Sequence, residues 1–177
     1  MPLLTALRQR HSDREFSHRV LSLQTLSDLL WAAFGINRQE TGGRTAPSAR
    51  NWQEIDLYVA LTNGLYCYCP AENGLTPVIP EDIRALTGLQ EFVASAPVNL
   101  LYVADLTRVA ASDDDERRFY CAANAGFIAQ NVYLFCASEG LATVVRGLIN
   151  RDELVDAIGL LPDQRIVLAQ TIGYPAA

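Results

Sequence analysis

A short stretch near the N-terminus gathers the residue types that hold a phosphate group. Arginine presents a planar fork of N–H donors that matches phosphate oxygens, and serine adds a hydroxyl. This chemistry favours a grip on the phosphate and sugar-like tail of a cofactor. The alternative is a solvated charged turn that follows a short first helix. The residues concerned are Arg10, His11, Ser12 and Arg14.

A polar, irregular loop is predicted over residues 37–50, and it ends in a second polar stretch, residues 47–52. Ser48 and Asn51 carry donors and acceptors that suit the edge of a heterocycle. The alternative is a turn followed by a short helix that Ser48 caps. Both interpretations stay open at the level of these residues.

Two further polar groups interrupt otherwise regular patterns. Gln130 and Asn131 lie in the middle of an apolar helix and need partners there, either as a satisfied amide pair in the core or in contact with a bound cofactor. The acidic run at residues 113–116 is predicted to be a solvated helix start. No second acidic cluster completes a metal site.

The four cysteines indicate reduced, structural thiols. Cys67 and Cys69 alternate with tyrosines, so that both sulfurs point to one face of a strand. No paired C-x-x-C follows, and the chain has only 2 histidines, which argues against zinc and predicts no metal site. Thiols of this kind are typical of a cytosolic protein, and a cytoplasmic location is expected.

The length, composition and charge of the chain limit the class of protein to which it can belong. The 177 residues suit a single domain, residues 1–177, and 50% hydrophobic with 19% charged residues is typical of a globular chain. The net charge of −6 argues against a nucleic-acid partner. We expect no membrane partner, because no apolar run is long enough to span a bilayer, and no signal peptide, because Arg8 and Arg10 interrupt the N-terminus.

The elements that must position the polar residues follow from periodicity. The longest predicted helix, residues 119–139, is apolar nearly all round, and small residues on one edge permit close approach of another helix, as at a dimer interface. Asn63 and Gly64 predict a hairpin. The order of elements favours an α+β sandwich. Helices are predicted over residues 3–9, 25–34, 81–87, 119–139 and 151–159, and strands over 55–61, 65–69, 98–104 and 165–172, with an extended run leading to Arg146 and Gly147.

Four segments, taken in order, resemble the FMN-dependent nitroreductase family. The chain from residue 44 to residue 70 is further similar to the branch related to SagB-type azoline dehydrogenases. The resemblance implies a three-layer α/β/α sandwich with a mixed, mainly antiparallel sheet. The segments are residues 10–14, residues 47–51, the pair 130–131, and residues 140–147 together with the closing stretch 168–175.

The resemblance implies a homodimer with FMN at each end of the interface. Arg10 and Ser12 would reach the phosphate and the ribityl chain, and His11 would add backbone contacts. Arg14 would lie near the pyrimidine edge of the flavin, where a fixed positive charge stabilises the reduced ring.

Two more segments would complete the cofactor site by the same resemblance. Pro47, Ser48 and Asn51 would contact FMN, with Ser48 coming from the other protomer. The backbone N–H groups of Arg146 and Gly147 would point at the N5 and O4 edge. The family often has a basic residue shortly after the Gly-Tyr-Pro stretch, and none follows it here, so the phosphate is expected to rest on the N-terminal arginines with Arg44 or Arg50.

The implied function is NAD(P)H-driven reduction of a flat small-molecule electrophile, such as a nitroaromatic or a quinone, by a ping-pong hydride cycle on FMN. One alternative is a flavin-dependent dehydrogenase of an azoline-type heterocycle. Another is a non-catalytic flavin-binding protein of the same fold. No residue is identified as a catalytic acid or base.

Overall fold

A six-stranded sheet forms the centre of the computed structural model, which describes residues 1–111 and 113–176. Its strands follow the order β5-β4-β3-β6-β8-β7, and every pairing is antiparallel. A separate two-stranded ribbon contains β1 and β2. The strands are β1 Ile36–Arg38, β2 Gly43–Arg44, β3 Ile55–Leu61, β4 Gly64–Cys69, β5 Gly74–Ile79, β6 Val98–Asp105, β7 Ala142–Arg146 and β8 Gln164–Gly173.

Helices cover both faces of this sheet, because its central strands are apolar on both sides. Along β6, Leu100 and Tyr102 face one core, while Leu101 and Val103 face the other, and all four are 0% exposed. The helices are α1 Leu3–Gln9, α2 Leu23–Phe34, α3 Asp114–Glu139 and α4 Arg151–Ile158.

The two cores confirm the predicted three-layer α+β sandwich, although the sheet is antiparallel throughout its described pairings and not mixed. Leu29 of α2 and Ile128 of α3 pack on the first face of the sheet. Leu154 of α4 and Ile83 pack on the second face. Among the described residues, no helix is both long enough and apolar enough to cross a membrane.

Side-chain caps and a left-handed residue set the ends of the longer helices. The Ser22 hydroxyl accepts a hydrogen bond from the Thr25 amide at 3.0 Å and starts α2. The Asp113 carboxylate accepts from the Glu116 amide at 2.8 Å, which confirms that the acidic run begins a helix. Gly140, at φ 67°, ends α3.

Three local features of the structure differ from the sequence-based predictions. Strand β5 is not among the predicted strands; it contains Pro77 and lies at the edge of the sheet, where a missing N–H is tolerated. The expected helix over residues 81–87 is a single 3-10 turn, Arg84–Thr87. The expected loop over residues 37–50 contains part of the two-stranded ribbon.

Truncation of Leu29 tests the first core. Leu29 is 0% exposed, so we expect Leu29→Ala to lower the free energy of unfolding by about 2–5 kcal/mol through lost burial and a residual cavity. Leu23, on the same helix, is 85% exposed and provides the matched control, with a change within about 0.5 kcal/mol for Leu23→Ala. Urea unfolding measures both, and equal effects would contradict the packing described for α2.

Candidate functional site

Tyr133 of α3 joins the N-terminal segment to the edge strand β7. Its hydroxyl lies 2.8 Å from Ser12 Oγ and accepts a hydrogen bond from the Val145 amide at 2.9 Å. The Asp13 amide donates to the Thr143 carbonyl at 3.0 Å. Residues 12–13 are therefore fixed beside the strand that leads to residues 146 and 147.

The arginines of this segment keep their charge available for a ligand. Arg10 stacks over the Tyr133 ring at 5.2 Å and forms no ion pair with any described residue. Arg14 is exposed, and its guanidinium has no hydrogen-bond or ion-pair partner within the described part of the chain. His11 is exposed, with Nδ1 2.7 Å from the Gln9 carbonyl oxygen. Arg10, Ser12 and Arg14 thus present donors suited to an anion.

Arg146 behaves differently from the exposed arginines, since it is only 4% exposed. Its guanidinium donates to Thr171 Oγ1 at 2.9 Å, to the Thr87 carbonyl at 2.9 Å and to Asn99 Oδ1 at 3.1 Å. Burial lowers the pKa of Arg146 to about 10, so the side chain stays charged at neutral pH. Only the backbone of this residue is available to a ligand beside β7.

Two glycines have opposite surroundings near Arg146. A Cβ atom at Gly88 would lie 1.9 Å from Arg146 Nη1, so the guanidinium requires glycine there. A Cβ atom at Gly147 would meet no described atom within 4 Å. Gly147 is exposed and follows the end of β7, which leaves its backbone open to a ligand.

The turn at residues 48–53 is strained and internally bonded. Arg50, Asn51 and Gln53 have φ values of 50°, 55° and 50°, in the left-handed region that non-glycine residues rarely adopt. The Ser48 hydroxyl accepts from the Gln53 amide at 2.8 Å and donates to Glu54 Oε2 at 3.2 Å. The short helix of the alternative interpretation is present as a 3-10 turn, Ala49–Asn51, with Ser48 at its N-cap position, but the Ser48 hydroxyl makes no cap hydrogen bond to it.

Glu54 fastens this turn to α3. Its carboxylate is 0% exposed and accepts from Asn124 Nδ2 at 2.8 Å, while Asn124 Oδ1 accepts from the Ala49 amide at 3.1 Å. Burial raises the pKa of the Cys121 thiol to about 11, and the neighbouring Glu54 adds to the rise. Residues 48–54 and the N-terminal half of α3 form one bonded unit.

The predicted site residues fall into two separate groups along α3. Asn124 anchors one group and Tyr133 the other, nine positions apart on the helix. At 1.5 Å per residue this separation is about 14 Å. The first group contains Pro47, Ser48 and Asn51; the second contains Arg10, His11, Ser12 and Arg14 with Arg146 and Gly147.

A model of the nitroreductase family matches residues 7–174. The chain belongs to the nitroreductase family. The provisionally named nitroreductase MJ1384 of Methanocaldococcus jannaschii is 33% identical over 156 residues, covering 82% of this chain and 78% of that protein. A provisionally named nitroreductase from Ralstonia eutropha JMP134, known from its crystal structure, is 46% identical with TM-score 0.95, covering 100% of this chain and 84% of that chain.

More distant structures share the fold of this nitroreductase-family chain. One is a provisionally named nitroreductase from Desulfovibrio desulfuricans in complex with FMN, at TM-score 0.72 and 24% identity, covering 100% of this chain and 88% of that chain. Another is the Escherichia coli microcin synthetase McbBCD complex with truncated pro-MccB17, at TM-score 0.81 and 18% identity, covering 97% of this chain and 73% of that chain. Family membership indicates a flavin-dependent oxidoreductase.

The two neighbouring amide side chains of α3, Gln130 and Asn131, have different surroundings in this nitroreductase-family structure. Asn131 Nδ2 donates to the Ala32 carbonyl at 3.1 Å and contacts the Ala33 carbonyl at 3.4 Å, which satisfies the last turn of α2. Gln130 is exposed on the opposite side of the helix. The idea of a paired core amide is therefore wrong for Gln130.

Three residues that organise the site were not identified from the sequence. Tyr133 belongs to the predicted apolar helix over residues 119–139, and Glu54 lies just before the predicted strand over residues 55–61, so neither pattern marks them as site residues. Asn124 gave the clearest signal, since a lone amide among alanines of a buried helix needs a partner. Its partners, Glu54 and Ala49, lie 70 and 75 positions away in sequence.

Replacement of Glu54 tests the anchoring of the 48–53 turn. Glu54→Gln keeps the size but offers one acceptor oxygen where two are used, and it turns an NH2 group toward a donor. We expect the free energy of unfolding to fall by about 1–3 kcal/mol in a urea titration. The exposed Glu72 provides the control, with Glu72→Gln close to the parent. A neutral effect of Glu54→Gln would show that the carboxylate does not hold the turn.

Proposed function

We propose that this protein is an FMN-dependent oxidoreductase that uses NAD(P)H to reduce a flat electrophile, such as a nitroaromatic or a quinone, in a ping-pong cycle. The observation that carries the proposal is the pair of uncompensated arginines, Arg10 and Arg14, held beside Ser12 and the open end of β7 in a nitroreductase-family chain. The FMN in the relative from Desulfovibrio desulfuricans supports the choice of flavin.

The residues present fit this cofactor. Arg10 and Ser12 would bind the phosphate and the ribityl chain, and Arg14 would place its charge at the pyrimidine edge. Apart from its chain neighbours, no described residue has an atom within 4 Å of a Cβ placed at Gly147, which leaves room for a ring beside the backbone of residues 146–147. Because the Arg146 side chain is committed to the core, only its backbone N–H enters this assignment.

The chemistry that bound FMN would supply is hydride transfer, first from NAD(P)H to the flavin and then from the flavin to the electrophile. The chain would contribute binding, orientation and electrostatics. Tyr133 would hold Ser12 in place, and the arginine charges would favour electron uptake by the ring. No side chain of the site is assigned as a catalytic acid or base.

A homodimer would bring the two groups of site residues together. One protomer holds Pro47, Ser48 and Asn51 about 14 Å along α3 from its own arginines, so a second copy is proposed to supply them. An exposed apolar face of α3 supports this assembly, with Phe119 66% and Phe127 48% exposed. The face consists of Phe119, Ala122, Gly126, Phe127 and Gln130.

A second candidate function is oxidation of an azoline-type heterocycle. It is favoured by the fold shared with a chain of the McbBCD microcin synthetase complex at TM-score 0.81. The same residues would hold the flavin, and the direction of hydride transfer would be reversed.

The absorbance of the purified protein tests the proposal. We expect a yellow protein whose flavin absorbance is bleached by NADH or NADPH and restored by a quinone or a nitroaromatic. A yellow protein that neither nicotinamide bleaches would support the heterocycle dehydrogenase or a flavin-binding protein without this activity. A protein that stays colourless after incubation with FMN would refute both flavin functions.

Replacement of Arg14 by an uncharged residue tests whether its guanidinium lies at the edge of the flavin ring. We expect Arg14→Ala to weaken FMN binding and to lower the reduction potential of the bound flavin, because a positive charge favours the reduced ring. Arg8, an exposed arginine six positions earlier, is the matched control. Spectroelectrochemistry measures both variants, and an unchanged potential in Arg14→Ala would remove Arg14 from the flavin edge.

A charge on the apolar face of α3 tests the dimer. Ala122 is exposed in one protomer, and Ala122→Arg would place a guanidinium where two helices are proposed to meet. We expect a shift from dimer to monomer in analytical ultracentrifugation, with loss of FMN. Ala157→Arg, on an exposed position of α4, is expected to remain dimeric. A monomeric parent protein would contradict the assembly directly.

A further inference from the structure

A cavity of about 830 Å³ lies beneath the first turns of α3, where this helix passes over β6 and β8. Its inner wall is apolar and includes Ala104 and Val109, each no more than 3% exposed, and the half-buried Val167, all on the face of the sheet that α3 covers. Cys121 completes the wall, and its raised pKa keeps the thiol neutral. The cavity thus offers an uncharged surface to a flat, apolar body.

The rim of the same cavity is rich in arginine, although the whole chain carries a net charge of −6. Positive side chains outnumber negative ones among its lining residues. The arginines are Arg117, Arg118, Arg151 and Arg165, and the acids are Asp114 and Asp163.

Most of this positive charge has no counter-ion among the described residues. Arg118 forms no hydrogen bond or ion pair with any of them. Arg151 donates to the Ile166 carbonyl at 2.9 Å and to the Val167 carbonyl at 3.0 Å, and the hydrogen bonds of Arg165 within the described chain likewise go to backbone carbonyl oxygens. Carbonyl groups satisfy the donors but leave the net charge in place.

Arg117 is the one arginine of the rim with an acidic partner among the described residues. Its Nη1 lies 3.1 Å from Asp114 Oδ1. Its Nε is buried and has no hydrogen-bond partner among the described residues. The charge that the rim can offer to an anion is therefore that of Arg118, Arg151 and Arg165.

The cavity lies next to the candidate flavin site and is separate from its expected ligands. Arg151 Nη1 contacts the Gly147 carbonyl at 3.3 Å, so the rim and the end of β7 share a side chain. None of the residues expected to hold FMN lines the cavity. A molecule bound there would approach the strand end that the proposed function places beside the flavin.

We propose that this cavity binds a flat aromatic carboxylate of one or two rings. The volume is within the range of pockets that enclose small organic ligands, the wall suits a ring, and guanidinium groups match carboxylate oxygens. This is a ligand site beside the one proposed for FMN, and it prefers an aromatic anion to its neutral counterpart.

Isothermal titration calorimetry of the purified protein, as isolated, tests the cavity with 2-naphthoate and the neutral 2-naphthamide. We expect the carboxylate to bind about tenfold more tightly than the amide, because charge-assisted hydrogen bonds are stronger. The double variant Arg118→Gln/Arg165→Gln, changed at two exposed positions, is expected to lose about tenfold in naphthoate affinity. Arg8→Gln removes one positive charge elsewhere and is expected to bind as the parent does.

Absence of naphthoate binding, equal affinity for the amide, or unchanged affinity in the double variant would each overturn the proposal. Flavin absorbance of the same samples separates it from the function proposed above. Loss of naphthoate affinity with unchanged flavin content supports a distinct cavity site. Naphthoate binding by a protein that takes up no FMN would refute the flavin function and support the cavity.

Discussion

The guanidinium of Arg146 is buried, so its hydrogen-bond acceptors have to lie inside the protein. Much of the fold places those acceptors around it. A charge taken out of water is costly unless hydrogen bonds replace its hydration. Here the acceptors come from three different parts of the chain: Thr87, Asn99 and Thr171. The requirement extends to Gly88, where any side chain would occupy the place of the guanidinium.

A second set of buried, hydrogen-bonded polar side chains lies on the other face of the sheet and also restrains β7. Tyr102 donates to Gln170 Oε1 at 2.5 Å, and Gln170 Nε2 donates to Thr143 Oγ1 at 3.0 Å. Thr143 and Arg146 are both on β7, an edge strand that has a sheet partner on one side only. These side-chain bonds give β7 a fixed place, and the candidate cofactor residues depend on that strand for their own positions.

The sequence determines the layers of this fold more fully than the site. The residue-level patterns predict α1 and the β3–β4 hairpin almost to the residue, because both depend on neighbours within a few positions. They do not predict that Arg146 turns inward, since its partners lie 25 to 59 positions away. Nor do they predict the bonding of Ser48, because a cap and a strained turn use the same hydroxyl. Interactions between residues a few positions apart can be predicted from a sequence. Hydrogen bonds between polar side chains that are distant in sequence cannot.

The hydrogen bond between Ser12 and Tyr133 spans 121 positions of the chain. Ordering a contact of that separation costs loop-closure entropy, and only a few bonds offset it. We therefore expect the N-terminal segment to dock late in folding, after β7 has joined β8, and to open locally at a lower free-energy cost than the two cores. Such local opening would let the cofactor proposed for this site enter and leave while both cores stay intact, so its exchange would not depend on global unfolding.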